Sequence, residues 1–146
     1  MRRYTVMFKA LADETRLRLL RLILEAGHPV CVCELADALG LPLYHVSKHL
    51  AILRQAGLVV DDRRGTWVDY APSRESPLLV DICEMVRRRI TGPRFERDLQ
   101  RLRVRLGLRQ EGQCVLGPGH PLANSALAHA GLTDSTPADS DKEERS

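Results

Sequence analysis

Aromatic side chains make up only 4% of the 146 residues, so a core has to be filled by the Leu, Val and Ile within the 44% hydrophobic fraction. No stretch approaches the ~18 to 20 consecutive apolar residues that a membrane-crossing helix needs. Met1-Arg2-Arg3-Tyr4 carries charge with no apolar run behind it, which speaks against a secretory leader. The cysteines at 31, 33, 83 and 114 are not spaced like the disulfide framework of a small secreted domain. A phosphate- or oxyanion-binding loop is missing, and Cys31-Val32-Cys33 is not the Cys-x-x-Cys of redox folds. An enzyme is therefore not expected. There are no internal repeats, and the length fits one domain. Together these absences describe a protein of a reducing compartment, expected in the cytoplasm.

Charge is present but unevenly spread. Residues 1–110 hold 20 Lys and Arg against 13 Asp and Glu, whereas residues 111–146 hold 2 against 6. A basic body suits a protein that neutralises phosphates. Gly, Pro, Ala, Ser and Asp crowd the acidic end without apolar periodicity, so 111–146 reads as a flexible, disordered tail beside a folded unit at 1–110.

Apolar periodicity places the elements. Asp13 offers a cap to a helix buried through Leu17, Leu19, Leu20 and Ile23, which Gly27 and Pro29 end. A short helix runs to Leu39 with Leu35, Ala38 and Leu39 inward. Gly40 supplies a tight turn, and a second helix from Pro42 to Ala56 buries Val46, Leu50 and Leu53. Leu58–Asp61 and Thr66–Tyr70 alternate as strands, joined through Asp62–Gly65 as a hairpin turn. Leu79, Ile82, Val86 and Ile90 share one helical face, and Phe95, Leu99, Leu102 and Leu106 another. The expected fold is α+β and mainly α, a winged helix-turn-helix.

Leu11-Ala12-Asp13-Glu14-Thr15-Arg16-Leu17-Arg18, with Val46-Ser47-Lys48-His49-Leu50 and Leu53-Arg54-Gln55-Ala56-Gly57-Leu58-Val59, resembles the ArsR/SmtB family of metal-responsive bacterial repressors. The likeness runs from about Tyr4 to Ile90. Cys31-Val32-Cys33-Glu34-Leu35 is similar to the thiolate motif of the family's arsenic/antimony and cadmium/lead branches. The resemblance implies a homodimer on double-stranded operator DNA, with no membrane or organic cofactor involved. It also implies release when As(III) or Sb(III) binds, Cd(II) or Pb(II) being the alternative inducers and thiol-redox or persulfide sensing the alternative chemistry. The chain departs from the family in having Ala36 or Asp37 where arsenic sensors often place a third cysteine. It has no cysteine before Cys31, and it carries Asp81-Ile82-Cys83 with Arg94 and Arg97 in place of the zinc-type ligands.

Two thiols suit soft ions, and a helix N-terminus favours thiolates. Residues two apart on a regular helix point ~200° away from each other, since each turns ~100°. In an extended segment they share a side. Pro29 turns the residue before it away from helical geometry, so the helix is expected to start at or near Cys31 and ion capture to unwind or restrain its first turn. As(III) suits three thiolates, and Cys114 in its Gly112-Gln113-Cys114 segment is the preferred third ligand, from the same chain or a partner. Cys83, beside the apolar stripe, reads as core. Tyr44, His45, Ser47, Lys48, His49 and Arg54 on the second helix are expected to face DNA, with Arg63 and Arg64 at the wing tip. Arg94, Arg97, Arg101, Arg103 and Arg105 read as the solvated face of the last helix.

Overall fold

A computed structural model describes residues 1–133, which form seven helices and one three-stranded sheet. Helix α1 spans Arg2–Leu11 and α2 spans Glu14–Ala26, the latter capped by Asp13, whose carboxylate accepts from Arg16 N at 3.0 Å. Helices α3 (Val32–Leu39) and α4 (Leu43–Gln55) are the two arms of the helix-turn-helix. Gly40, left-handed at φ 67°, makes the turn between them. Val46, Leu50 and Leu53 on α4 are completely buried, as their spacing predicts.

Strands β2 (Val59–Arg64) and β3 (Trp67–Pro72) form the wing. Arg64 stands opposite Trp67, so the turn is the two residues Gly65-Thr66. Asp62, Arg63 and Arg64 thus lie in the strand rather than in the turn expected from sequence. A further strand, β1 (Val30–Cys31), pairs antiparallel with β3 and gives the order β1-β3-β2. Cys31 sits opposite Asp69. Two residues are too few to carry an alternating pattern, so β1 has no sequence signal.

Helix α5 (Pro77–Arg89) is capped by Ser76 and buries Leu79, Ile82, Cys83 and Val86. Helix α6 (Pro93–Leu106) packs chiefly on α3, and also on α2. The structure corrects the reading of its charged face. Asp98 and Arg101 are buried, and Arg105 is completely enclosed. Arg18 grips Asp98 through two 2.8 Å hydrogen bonds, and Arg101 donates to the carbonyls of Asp37, Ala38 and Leu132.

The expected tail also differs as far as residue 133. Residues 111–133 fold back over α3 and α6 and carry a seventh helix, α7 (Pro121–His129), with Ala123 and Leu127 buried. Its single-faced apolar contact is short, and the anchors are α6 arginines rather than an apolar stripe: Arg101 holds the Leu132 carbonyl and Arg97 the Thr133 carbonyl. The acidic stretch 134–146, included in the tail reading, lies outside the described residues. No described helix is long and apolar enough to cross a membrane.

Candidate thiol site and nucleic-acid interface

Cys31, Cys33 and Cys114 form a small buried cluster of their own, packed against Val32, Leu43 and Trp67. The local chain explains how the first two meet. Cys31 closes β1 with extended backbone (φ −71°, ψ 144°) and caps α3, while Cys33 is the second residue of that helix. The pair straddles a strand–helix junction, so the opposed directions of a regular helix do not apply. The backbone N of Cys31 donates to Glu34 Oε1 at 2.9 Å, which fixes the junction.

Cys114 reaches the pair through a tight reversal. Gln110 and Gln113 exchange backbone hydrogen bonds of 3.0 Å around Glu111 (φ 53°) and Gly112 (φ 73°). Two consecutive positive φ values are what a two-residue reversal of this hand demands. Cys83 takes no part. It lies on α5, where burial pushes its thiol up, beside a separate cleft lined by Leu24, Ser73 and Arg87.

The three thiols are linked in a chain. Hydrogen bonding from Cys31 holds the Cys33 thiol below the usual range, against the opposing effect of burial, and the Arg105 charge assists. The bond from Cys114 pulls Cys31 down, but its bond to Cys33 and its burial outweigh that and push it up to about 11. Cys114 is raised, first by its bond to Cys31 and then by burial. Cys114 Sγ donates to the Leu116 carbonyl at 3.4 Å, and of the three thiols only Cys33 is lowered. Among the described residues no group of three His, Cys, Asp or Glu side chains stands ready-made to hold a metal ion. The thiols are gathered, and closing round an ion requires their side chains to turn.

A frame of ion pairs surrounds them. Glu34, fully buried, receives two 2.7 Å hydrogen bonds from Arg109. Asp37 accepts from Arg105 Nε at 2.7 Å and from Gly119 N at 2.8 Å, tying α3 to α6 and to the C-terminal segment. Arg105 Nη2 donates to the Leu116 carbonyl at 2.7 Å and lies 3.9 Å from Cys114 Sγ, while Nη1 is buried with no partner among the described residues. Arg64 pairs with Asp69 at 2.9 Å. A cleft of about 570 Å³, lined by His28, Arg64, Asp69, Arg109, Gln113 and Cys114 among others, borders the cluster at Cys114. Sequence reasoning missed Glu34, Asp37, Arg105 and Arg109 as members of the site. A signal was there: Arg101 and Arg105 stand four residues apart on one face of α6, with Arg109 four further on, just past the helix end.

The proposed DNA residues divide. Tyr44 is 77% exposed on α4, Lys48 and Arg63 are exposed, and His45 and Ser47 are half-buried at the same surface. His49 turns away to α2, where it accepts from Arg16 Nη1 at 3.2 Å and approaches Asp13 at 3.8 Å. Burial lowers its pKa, with the Asp13 charge opposing. Arg54 is paired with Asp61 at 2.9 Å. Arg64, paired with Asp69 beside the thiols, is less available than Arg63.

Residues 13–60 match the family model described as bacterial regulatory protein, arsR family. The chain is 49% identical over 76 residues to the arsenic resistance transcriptional regulator ArsR1 of Pseudomonas putida, covering 52% of this chain and 59% of that protein. It is 46% identical over 71 residues to the arsenical resistance operon repressor of Escherichia coli, covering 49% and 60%. The chain thus spans about three fifths of the length of these relatives. Among solved structures, HlyU from Vibrio cholerae superposes with a TM-score of 0.52 at 34% identity, over 59% of this chain and 89% of HlyU. With the helix-turn-helix, the wing and these likenesses in agreement, the chain belongs to the ArsR family.

Proposed function

We propose that the protein is a homodimeric repressor that leaves its operator when As(III) or Sb(III) is captured by Cys31, Cys33 and Cys114. The observation that carries this reading is the buried contact of three thiols at the first turn of α3, the helix that supports α4. The donor set fits the ion: three soft sulfurs suit a trivalent thiophile, whose lone pair stands where a fourth ligand would be. With arsenous acid, each As–O bond is replaced by an As–S bond, and each thiol proton leaves with a hydroxyl as water. No electron changes hands.

Capture pulls Cys31, at the end of β1, and Cys33, in the first turn of α3, toward one centre with Cys114. It therefore acts on the wing and on the helix-turn-helix together. DNA affinity comes from Lys48 and Arg63 on phosphates, with Tyr44, His45 and Ser47 at the base edges. Dimerisation is supported by apolar side chains left exposed on α1 (Tyr4, Val6, Phe8) and α5 (Leu78, Val80, Met85). The relatives' names, arsenic resistance regulator and arsenical resistance operon repressor, favour the same inducer class.

The test is operator binding by fluorescence anisotropy during titration with As(III). Wild type should release DNA, and Cys31→Ser with Cys33→Ser should bind DNA and stay bound. Release by the double variant at the wild-type concentration would refute the assignment. A thiol-oxidation reading draws on one observation, the lowered Cys33 beside Cys31. Release by peroxide or polysulfide, with As(III) inert, would favour it.

A further inference from the structure

Among the described residues, the charged side chains nearest the three thiols stand in matched pairs. The cations are Arg64, Arg105 and Arg109, and the anions are Asp69, Asp37 and Glu34. They pair one to one, at 2.9, 2.7 and 2.7 Å. Arg105 and Glu34 are completely buried, so two of the three pairs have one member out of reach of solvent. These two pairs also fasten α6 and the segment after it onto α3. The charges of these three described pairs cancel before any ion arrives.

We propose that this neutral frame selects the valence of the inducer, a step that rests on the three-thiol reading given above. Three thiolates around a trivalent ion make an uncharged complex, which enters a neutral site without leaving a charge behind. Around a divalent ion, three thiols lose three protons to water and the complex keeps one negative charge. Each guanidinium in the frame has its own carboxylate, so that charge is buried without a counter-ion, a costly arrangement. The unpartnered Nη1 of Arg105 supplies a donor but no unmatched charge. The site thus favours As(III) and Sb(III) over Cd(II) and Pb(II) through residues that need not touch the ion.

Removing one carboxylate turns the frame positive, and removing one guanidinium turns it negative. Asp37→Asn and Glu34→Gln, on two independent pairs, should each raise the ratio of Cd(II) to As(III) affinity by about tenfold or more, ~1.4 kcal/mol. Arg109→Gln should move the ratio the other way. Asp37→Asn combined with Arg105→Gln should return it toward wild type. The measurement is equilibrium competition for each ion with the purified full-length chain, whose fold is checked by circular dichroism. A reversal of sign between the carboxylate and guanidinium variants supports the proposal, because mere loss of structure would weaken both ions alike. An unmoved ratio in a wild type that binds As(III) and in folded variants overturns it. A wild type with no As(III) affinity overturns the three-thiol reading instead.

Discussion

The two surfaces on either side of the helix-turn-helix use arginine in opposite ways. On the thiol side, Arg105 is enclosed and Arg109 half-buried, and each is matched to a carboxylate of α3. On the α4 and wing-tip side, Lys48 and Arg63 stand in solvent with no charged partner among the described ion pairs. Guanidinium forks suit the first task because they form two directed bonds with a planar carboxylate. Exposed cations suit the second, since phosphate binding depends on releasing counter-ions and not on fixed geometry. Positioning is therefore concentrated in buried pairs and attraction in open ones.

That contrast breaks most visibly under substitution. Arg105→Leu leaves the Asp37 carboxylate without its guanidinium at the α3–α6 contact, and should cost about 3–5 kcal/mol in chemical denaturation. Lys48→Ala should change stability by less than about 0.5 kcal/mol. Equal losses would show that burial of the pair is not what distinguishes the two sides.

Cys114→Ser should weaken As(III) binding by about tenfold, ~1.4 kcal/mol, whereas Cys83→Ser should bind as wild type does. The opposite pattern would move the third ligand to α5. On the DNA side, Lys48→Ala and Arg63→Ala should each flatten the salt dependence of operator binding by about one unit of slope. Arg64→Ala should flatten it less, because its guanidinium is held by Asp69. Equal slopes for Arg63→Ala and Arg64→Ala would place both on phosphates.

A further effect is on the pH dependence of stability. Cys31 is raised from 9.0 to about 11 in the folded chain. Its contribution to stability is therefore complete below pH 9 and lost as pH rises toward 11. Denaturation midpoints of wild type and Cys31→Ser should converge across that window. A constant gap would mean that Cys31 ionises alike in both states.

The helices, the turn at Gly40 and the wing were legible because each rests on local chemistry. Asp13 caps, Gly40 reverses the chain, and Val46, Leu50 and Leu53 repeat at helical spacing. The Cys31–Cys33 pair was legible as a soft-ion motif. Cys114 was reached only as a preference, since its approach depends on a reversal at Glu111-Gly112 that composition disguised as disorder. The acidic, Gly- and Pro-rich stretch hid α7 because α7 is anchored largely by arginines of another helix, Arg97 and Arg101, and long-range bonds leave no periodic trace. The same reason made Arg105 look like a solvated charge. A four-residue repeat of arginines has the spacing of a buried stripe, yet its residue type argues for water until a carboxylate partner is known. The contact of His49 with Arg16 of α2 was not legible, because it joins residues 33 apart and leaves no trace in local spacing.

In the proposed site three protein thiols close on one trivalent ion, with Cys114 as the third. X-ray absorption at the arsenic edge of the As(III)-loaded protein counts those sulfurs directly. Three As–S neighbours are expected in wild type and in Cys83→Ser, falling to two with an added As–O neighbour in Cys114→Ser. Two sulfurs and one oxygen in wild type, unchanged in Cys114→Ser, would contradict it.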